Sequence, residues 1–304
     1  MNQASLYQHA NQVQRHDAKL ILDEFASTLQ WRSDGEDALL DVGSGSGNVL
    51  MDFVKPLLPS RGQLVGTDIS SQMVGYASKH YQREERTRFQ VLDIGCERLP
   101  QELSGRFDHV TSFYCLHWVQ NLRGALGNIY NLLRPEGGDC LLAFLASNPV
   151  YEVYKILKTN EKWSGYMQDV EQFISPLHYS LNPGEEFSQL LNEVGFIHHN
   201  VEIRNEVFVY EGVRTLKVLY FPRSAQQSYA QFADPAFCRR LTHPMIPLAD
   251  SGGVTSKTNT EYRNRMTADV VFIHTHVYML YVTVFVGRGR VHLAEVQTNA
   301  WPSK

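Results

Sequence analysis

The chain has 304 residues, 43% of them hydrophobic and 20% charged, which is enough to bury one large core or one core with a cap. Its charge is unevenly distributed. Residues 1–217 contain 19 Lys and Arg against 27 Asp and Glu, whereas residues 218–304 contain 9 against 5. The acidic front part argues against nucleic acid as a partner, because phosphate binding requires clustered Lys and Arg.

The four cysteines show no paired C-x-x-C spacing, and no basic region followed by an apolar run stands at the amino terminus. We therefore expect a reduced, cytoplasmic setting and no metal site. Residues 270–286 form an apolar run that is shorter than the roughly 20 residues needed to span a bilayer, and the run includes two histidines. We expect no membrane span, since the β-branched and aromatic residues of this run favour a buried or β-forming segment.

The most informative stretch is LLDVGSGSG at residues 39–47, in which an apolar strand runs into three alternate glycines. Glycine lets the backbone turn tightly and approach a ligand, and a following helix directs its first amides at that ligand. In the dinucleotide fingerprint the third glycine follows the first by five positions, but Gly47 follows Gly43 by only four. The spacing therefore favours a different nucleotide-type ligand, with an ordinary Gly/Ser turn as the alternative.

Further strands along the chain repeat the pattern of a strand followed by an acid. Residues 63–70 predict a short buried strand with Asp68 near its end, about 20 residues after the last glycine, where a carboxylate can accept both hydroxyls of a ribose. Residues 89–94 include Asp93 in a second such pattern, and residues 106–113 predict a fourth strand.

Amphipathic stretches between these strands predict helices at residues 10–29, 49–58, 71–82 and 121–133. Alternating strands and helices are typical of an α/β fold, a parallel sheet covered on both faces. A fifth strand is predicted at residues 137–145, a helix at 184–194 and an alternating strand at 196–210. The intervening residues 148–180 are aromatic and irregular, and we interpret them as a cap inserted over the ligand site.

Residues 39–47 resemble motif I of the class I S-adenosylmethionine-dependent methyltransferases. Over residues 1–217 the chain is similar to the juvenile hormone acid O-methyltransferase family, insect enzymes that methylate the carboxylate of a sesquiterpenoid acid. The resemblance rests on residues 6–18, 41–47 and 66–70, and above all on SFYCLHWV at residues 112–119. It implies a Rossmann-like, doubly wound sheet with a helical cap, S-adenosylmethionine as cofactor and a small-molecule terpenoid acid as substrate.

The same resemblance implies roles for individual residues around the cofactor. Asp41 and Gly43 are expected to hold its methionine end, Asp68 the ribose, and Asp93 with Ile94 the adenine, while the backbone of Ser112 lies near the methionine amino group. The full expected cofactor-binding set is Asp41, Gly43, Gly45, Gly47, Asp68, Ile69, Asp93, Ile94 and Ser112.

Gln14 and Trp118 match family positions that hold the substrate carboxylate. A carboxylate is already ionised at neutral pH, so its methylation needs orientation and loss of water rather than a general base. Two neutral N–H donors orient the group without forming a strong salt bridge. The alternatives are a core aromatic for Trp118, a solvated helix residue for Gln14 and either a packed residue or a base for His117.

A terpenoid tail would require an apolar tunnel, although core packing is an equally simple role for each candidate. The candidates are Leu6, Tyr7, Val150, Tyr151, Tyr154, Phe173, Ile174 and Tyr179.

After Lys217 the resemblance ends, and residues 218–304 are expected to be a divergent and irregular tail behind a methyltransferase domain at residues 1–217. One hypothesis is translation past a splice donor at this lysine; the alternative is a genuine tail whose residues 278–286 replace the last strand of the family's sheet. Two functional alternatives also stay open: methylation of another apolar acceptor, which would need His117 as base, and a catalytically impaired binding protein. The number of epoxides on the substrate and the oligomeric state are left open.

Overall fold

The computed structural model describes residues 11–161, 163–211 and 272–286. Seven strands in this part form one sheet in the order β3-β2-β1-β4-β5-β7-β6, and β1 to β5 are parallel. The parallel strands are β1 (Ala38–Val42), β2 (Gln63–Asp68), β3 (Thr87–Val91), β4 (His109–Phe113) and β5 (Gly138–Ser147). The predicted α/β fold with a central parallel sheet is confirmed.

Helices flank the sheet, and those predicted from the sequence lie close to their predicted bounds. They are α1 (Gln12–Phe25), α2 (Ser71–His80), α3 (Leu122–Leu132), α4 (Pro149–Thr159) and α5 (Pro183–Val194). The helix expected at residues 49–58 contains a π-helical turn at Leu50–Val54 and a 3₁₀ turn at Lys55–Leu57. Residue 10, the expected start of the first helix, lies outside the described residues. Within the described ranges no helix is long and apolar enough to cross a membrane.

Successive strand residues alternate between two hydrophobic cores, one on each face of the sheet. Leu39, Leu64 and Leu141 pack with α1 and the π-helical turn. Their neighbours Leu40, Val65 and Leu142 pack on the other face with α3 and α5. The near-continuous apolar runs of the strands therefore reflect burial on both faces.

The cap, residues 148–180, is more regular than the sequence indicates. The side chain of Asn148 accepts a hydrogen bond from the amide of Val150 at 2.9 Å and begins α4, which runs for 11 residues. This helix agrees with the helical cap that the family resemblance implies. The local pattern was interpreted as irregular, although apolar residues recur at helical spacing behind an N-cap. Seven buried residues give the cap a core of its own: Val150, Tyr151, Tyr154, Leu157, Met167, Val170 and Ile174.

Two antiparallel strands complete the sheet. β6 (His198–Glu211) confirms the strand predicted at residues 196–210, and β7 (Phe272–Val286) confirms the β-forming interpretation of the apolar run in the tail. β7 lies between β5 and β6 and pairs with both. The tail is thus not irregular at residues 272–286. Residues 218–271 and 287–304 lie outside the described residues, and the splice-donor hypothesis stays a prediction.

A buried histidine binds two aspartates at the amino end of the parallel strands. The Nδ1 atom of His109 lies 2.6 Å from Asp139, its Nε2 atom lies 2.9 Å from Asp37, and the three side chains are almost fully buried. Burial alone would lower the pKa of His109, but the hydrogen bonds and charges of Asp139 and Asp37 raise it above its ordinary value. Since each ring nitrogen faces a carboxylate, the geometry favours an imidazolium with two N–H donors.

Candidate active site

The glycine loop follows β1 at the carboxyl edge of the sheet. Gly43, Gly45 and Gly47 have φ angles of 75°, 55° and 82°, in the left-handed region that side chains disfavour. A Cβ added at Gly43 would overlap with Cys115, and one at Gly47 would lie 2.9 Å from the ring of Phe89. The loop therefore requires glycine for both its conformation and its close packing.

Asp41 lies just before this loop and is 3% exposed. Its carboxylate accepts a hydrogen bond from the hydroxyl of Thr111 at 2.7 Å. Burial raises the pKa of Asp41 to about 7; the Thr111 hydrogen bond lowers it and the charge of Asp68 raises it further. A ligand that brings a positive charge next to Asp41 would favour the ionised carboxylate.

Asp68 lies at the end of β2 and faces the glycine loop. Its two carboxylate oxygens accept hydrogen bonds from the amides of Gly45 at 2.9 Å and Ser70 at 2.8 Å. A carboxylate has about four acceptor positions, so these two bonds leave capacity for two hydroxyl donors. This geometry agrees with a diol-binding role and also shows that Asp68 fixes the shape of the loop.

The predicted adenine site is only partly as expected. Asp93 is exposed, and its carboxylate accepts from the amide of Gly95 at 2.8 Å. Ile94, however, is 4% exposed and belongs to the hydrophobic core, whereas Ile69 after Asp68 is 67% exposed. The apolar surface free to contact a planar ring therefore belongs to Ile69.

Ser112 is fully buried on β4 and next to β1. Its hydroxyl donates to the carbonyl of Val42 at 3.0 Å. This bond connects the end of β4 to the residue before Gly43, so Ser112 supports the loop from within the sheet.

Several buried polar atoms at this edge of the sheet have no hydrogen-bond partner within the described residues. They are Asn11 Oδ1, Gln14 Oε1, Ser44 Oγ, Ser46 Oγ and His117 Nδ1. Leaving such an atom unpaired costs about 1–3 kcal/mol, so a concentration of them is typical of a site that binds a polar ligand. Together with the glycine loop they fit a cofactor that has both charged and hydroxyl groups.

Asn11 is a residue that the sequence analysis missed. Its Nδ2 atom donates to the side chain of Asn48 at 3.0 Å. This bond connects the residue before α1 to the residue that follows the glycine loop. A buried asparagine just before a helix was the available signal, but its partner is 37 positions away and the sequence does not show the pairing.

Gln14 and Trp118 lie on two different elements. Gln14 is half-buried on α1, whereas Trp118 ends a 3₁₀ turn (Leu116–Trp118) after β4 and is 44% exposed. That exposure rules out the alternative of a core aromatic for Trp118. The hydroxyl of Tyr114 donates to Asp17, one turn after Gln14, and so connects α1 to the segment that leads to Trp118.

His117 is 1% exposed, and burial lowers its pKa to about 3. Its ring lies next to that of Trp118, with 4.7 Å between the ring centroids. A neutral imidazole with so low a pKa is a poor general base at neutral pH. The packed interpretation of His117 is therefore favoured over the catalytic one.

Comparison with known proteins identifies the family. A family model described as a methyltransferase domain matches residues 40–139. Juvenile hormone acid O-methyltransferase of Drosophila melanogaster is 94% identical over 217 residues, which are 71% of this chain and 73% of that protein. The chain belongs to the juvenile hormone acid O-methyltransferase family. The enzyme of that name from Bombyx mori is 42% identical over 218 residues, 71% of this chain and 77% of that protein.

Solved structures agree on the fold. The YcgJ protein of Bacillus subtilis is 17% identical, with 89% of this chain and 99% of that one covered at a TM-score of 0.55. A putative methyltransferase from Bacillus halodurans is 16% identical, with 87% and 97% covered at a TM-score of 0.51. As a methyltransferase of this family the chain uses S-adenosylmethionine.

Proposed function

We propose that the chain methylates the carboxylate of a sesquiterpenoid acid, juvenile hormone acid or farnesoic acid, to give the methyl ester. The observation that carries the proposal is Trp118, which is 44% exposed and whose ring lies next to His117, a neutral and weakly basic histidine. The unpaired buried side-chain oxygen of Gln14 supports it. An ionised acid needs no proton removed. The names of the two related enzymes support the choice of substrate.

When bound, S-adenosylmethionine would supply the methyl group: a carboxylate oxygen would form a bond to the methyl carbon as the bond from that carbon to the positively charged sulfur breaks, and S-adenosylhomocysteine would leave. Asp41 and the glycine loop would hold the cofactor's charged end and Asp68 its hydroxyls. The Gln14 amide and the Trp118 indole would orient the acceptor and exclude water from it. A rotation of the Gln14 side-chain amide by about 180° exchanges its nitrogen and oxygen, so that the N–H groups take the buried position and can donate to the carboxylate.

The apolar tail of the substrate would contact the cap. Val150, Tyr151, Tyr154 and Ile174, four of the candidates for an apolar tunnel, are buried in the cap core. Phe173 and Tyr179 are 45% and 56% exposed, so these two offer ring surface to a ligand. Leu6 and Tyr7 lie outside the described residues.

A reduced, cytoplasmic setting completes the proposal. Within the described ranges Cys96, Cys115 and Cys140 are free thiols. Burial raises the pKa of Cys115 to about 12, which keeps this thiol protonated beside the glycine loop.

The test is transfer of labelled methyl from S-adenosylmethionine to farnesoic acid by the full chain. Gln14→Ala and Trp118→Phe should each lower the rate by about tenfold or more, with the dissociation constant of S-adenosylhomocysteine unchanged. Gln12→Ala, on an exposed position of the same helix, is the matched control and should leave the rate unchanged. Cofactor binding without transfer to any terpenoid acid would instead favour a binding protein.

A further inference from the structure

The cap is held to the rest of the enzyme by polar contacts as well as by packing. Its hydrophobic core is separate from the two cores that cover the sheet. His178 of the cap lies 2.8 Å from the hydroxyl of Ser147 at the end of β5. A cap with its own core can keep its internal structure while its position over the sheet depends on a few such contacts.

Gln120 provides a second contact, two residues after Trp118. Its side-chain amide donates to the carbonyl of Gln172 at 3.2 Å and to the carbonyl of Ile174 at 2.9 Å. These two carbonyls flank Phe173, the exposed aromatic of the cap, and Ile174 is itself part of the cap core. One side chain therefore fixes the backbone on both sides of Phe173.

The same segment is held at its other end by α1. Tyr114 has a φ of 58°, a conformation that a residue with a side chain adopts only when its surroundings impose it. Its hydroxyl donates to Asp17 of α1, and its amide donates to the carbonyl of Ala143 at 2.8 Å. Residues 114–120, here called the Trp118 loop, thus lie between the helix that contains Gln14 and the cap.

We infer that Gln120 is a positioning residue that sets the distance between the carboxylate-binding Trp118 and the tail-binding Phe173, and so selects for long apolar acids. The inference rests on the proposed function. A long acid must place its carboxylate at Trp118 and its tail against the cap at the same time, so it depends on that distance. A short acid engages only the Trp118 end, and its methylation does not depend on where the cap lies.

The experiment compares farnesoic acid with octanoic acid as acceptors for the full chain. Gln120→Leu keeps the approximate shape and removes both donors; it should lower kcat/KM for farnesoic acid about tenfold, mainly through KM, and change that for octanoic acid less than twofold. The dissociation constant of S-adenosylhomocysteine should stay the same. Gln189→Leu is the matched control, because Gln189 lies on the surface of α5 and, among the described residues, donates only to Glu193. An equal loss for both acids would show a merely structural role and overturn the inference.

A double-mutant cycle tests the link to Phe173. If Gln120 acts through Phe173, Phe173→Ala should reproduce the selective loss for farnesoic acid, and the double variant should lose little more than the worse single variant. Additive losses would overturn the link.

Amide hydrogen exchange provides a readout that does not depend on activity. Gln120→Leu should speed exchange at residues 170–175 and in the Trp118 loop together, with α2 unchanged. If the unaltered chain methylates no terpenoid acid and exchange still rises in both segments, the proposed function fails while the coupling by Gln120 stands. Unchanged exchange in either segment overturns the coupling.

Discussion

The two ends of the parallel strands differ in how completely their buried polar groups are paired. At the carboxyl edge, buried oxygen and nitrogen atoms of residues such as Gln14, Ser44 and His117 have no partner within the described residues. At the amino edge, His109 makes two short contacts with carboxylates, and Asp139 and Asp37 also accept the amides of Gln30 and Arg32 at 2.8 Å. Asp37 Oδ2 is also unpaired within the described residues, so the difference is one of degree. Neutral groups stay unpaired at the carboxyl edge, whereas the charged side chains at the amino edge pair with one another.

Surface charge at the amino edge is only partly paired. A cavity of about 550 Å³ there is lined by four arginines, Arg32, Arg61, Arg86 and Arg134. Arg32 and Arg134 form ion pairs with Asp108, and Arg61 lies 3.6 Å from Glu36. The carboxylates that pair with these arginines, Asp34, Asp108 and Glu36, are fewer than the four arginines, so the cavity keeps an excess of positive charge.

The largest expected effect comes from breaking the paired edge. His109→Leu would leave Asp37 and Asp139 buried without their cation, at a cost of about 3–5 kcal/mol in the free energy of unfolding. Urea denaturation followed by circular dichroism measures this cost. His80→Leu, on the last turn of α2, is the control. A loss below 1 kcal/mol would mean that the three side chains are not coupled as described.

The same contacts predict how stability depends on pH. Because the pKa of His109 is raised in the folded state, its contribution is complete below the ordinary value of 6.5 and is lost as pH rises through the folded value. The unaltered chain should therefore lose stability from pH 6.5 upward, and His109→Leu should not show this component. Denaturation midpoints at several pH values decide the matter; parallel curves for the two proteins would contradict it.

A smaller effect is expected at the edge that binds ligands. Asp68→Ala removes a carboxylate acceptor and the hydrogen bonds to Gly45 and Ser70, so binding of S-adenosylhomocysteine should weaken by roughly 1.5–3 kcal/mol. Calorimetric titration measures this change. Asp23→Ala, an exposed position on α1 that pairs with Lys19, should bind normally. An unchanged dissociation constant for Asp68→Ala would exclude Asp68 from the cofactor site.

The smallest effect is expected at His117. Since burial lowers its pKa to about 3, the imidazole stays neutral between pH 6 and 9, and the rate of methyl transfer should be flat across that range. His117→Asn should reduce the rate only mildly. A steep rise in rate with pH that disappears in His117→Asn would point to a hydroxyl or amine acceptor instead of a carboxylate.

The sequence predicts the carboxyl edge of the sheet better than the amino edge, because the signals at the carboxyl edge are local. Glycine conformations and acids at strand ends are local signals, so the turns at Gly43 and Gly47 and the position of Asp68 at the end of β2 could be predicted from spacing. His109 meets Asp37 across 72 positions and Asp139 across 30, and no local pattern indicates those contacts. Burial is equally non-local, which is why the sequence could not show that Ile94 is covered while Ile69 is exposed.

The cap contains one feature with a local signal in the sequence and one feature without any. Its helix had a local signal in Asn148 and in apolar residues at helical spacing, which the abundance of aromatic residues obscured. No sequence pattern indicates the contacts of Gln120 with Gln172 and Ile174, because the acceptors are backbone carbonyls, which every residue has.

The pairing of β7 with both β5 and β6 also bears on self-association of the protein. β7 covers one side of β5 from Gly138 to Ser147, where eight of the ten β5 residues are buried. A chain that ended before residue 272 would present that side as an open edge of an apolar strand, able to pair with the same edge of another copy. Residues 272–286 thus cover a strand edge that would otherwise be open to pairing with another chain.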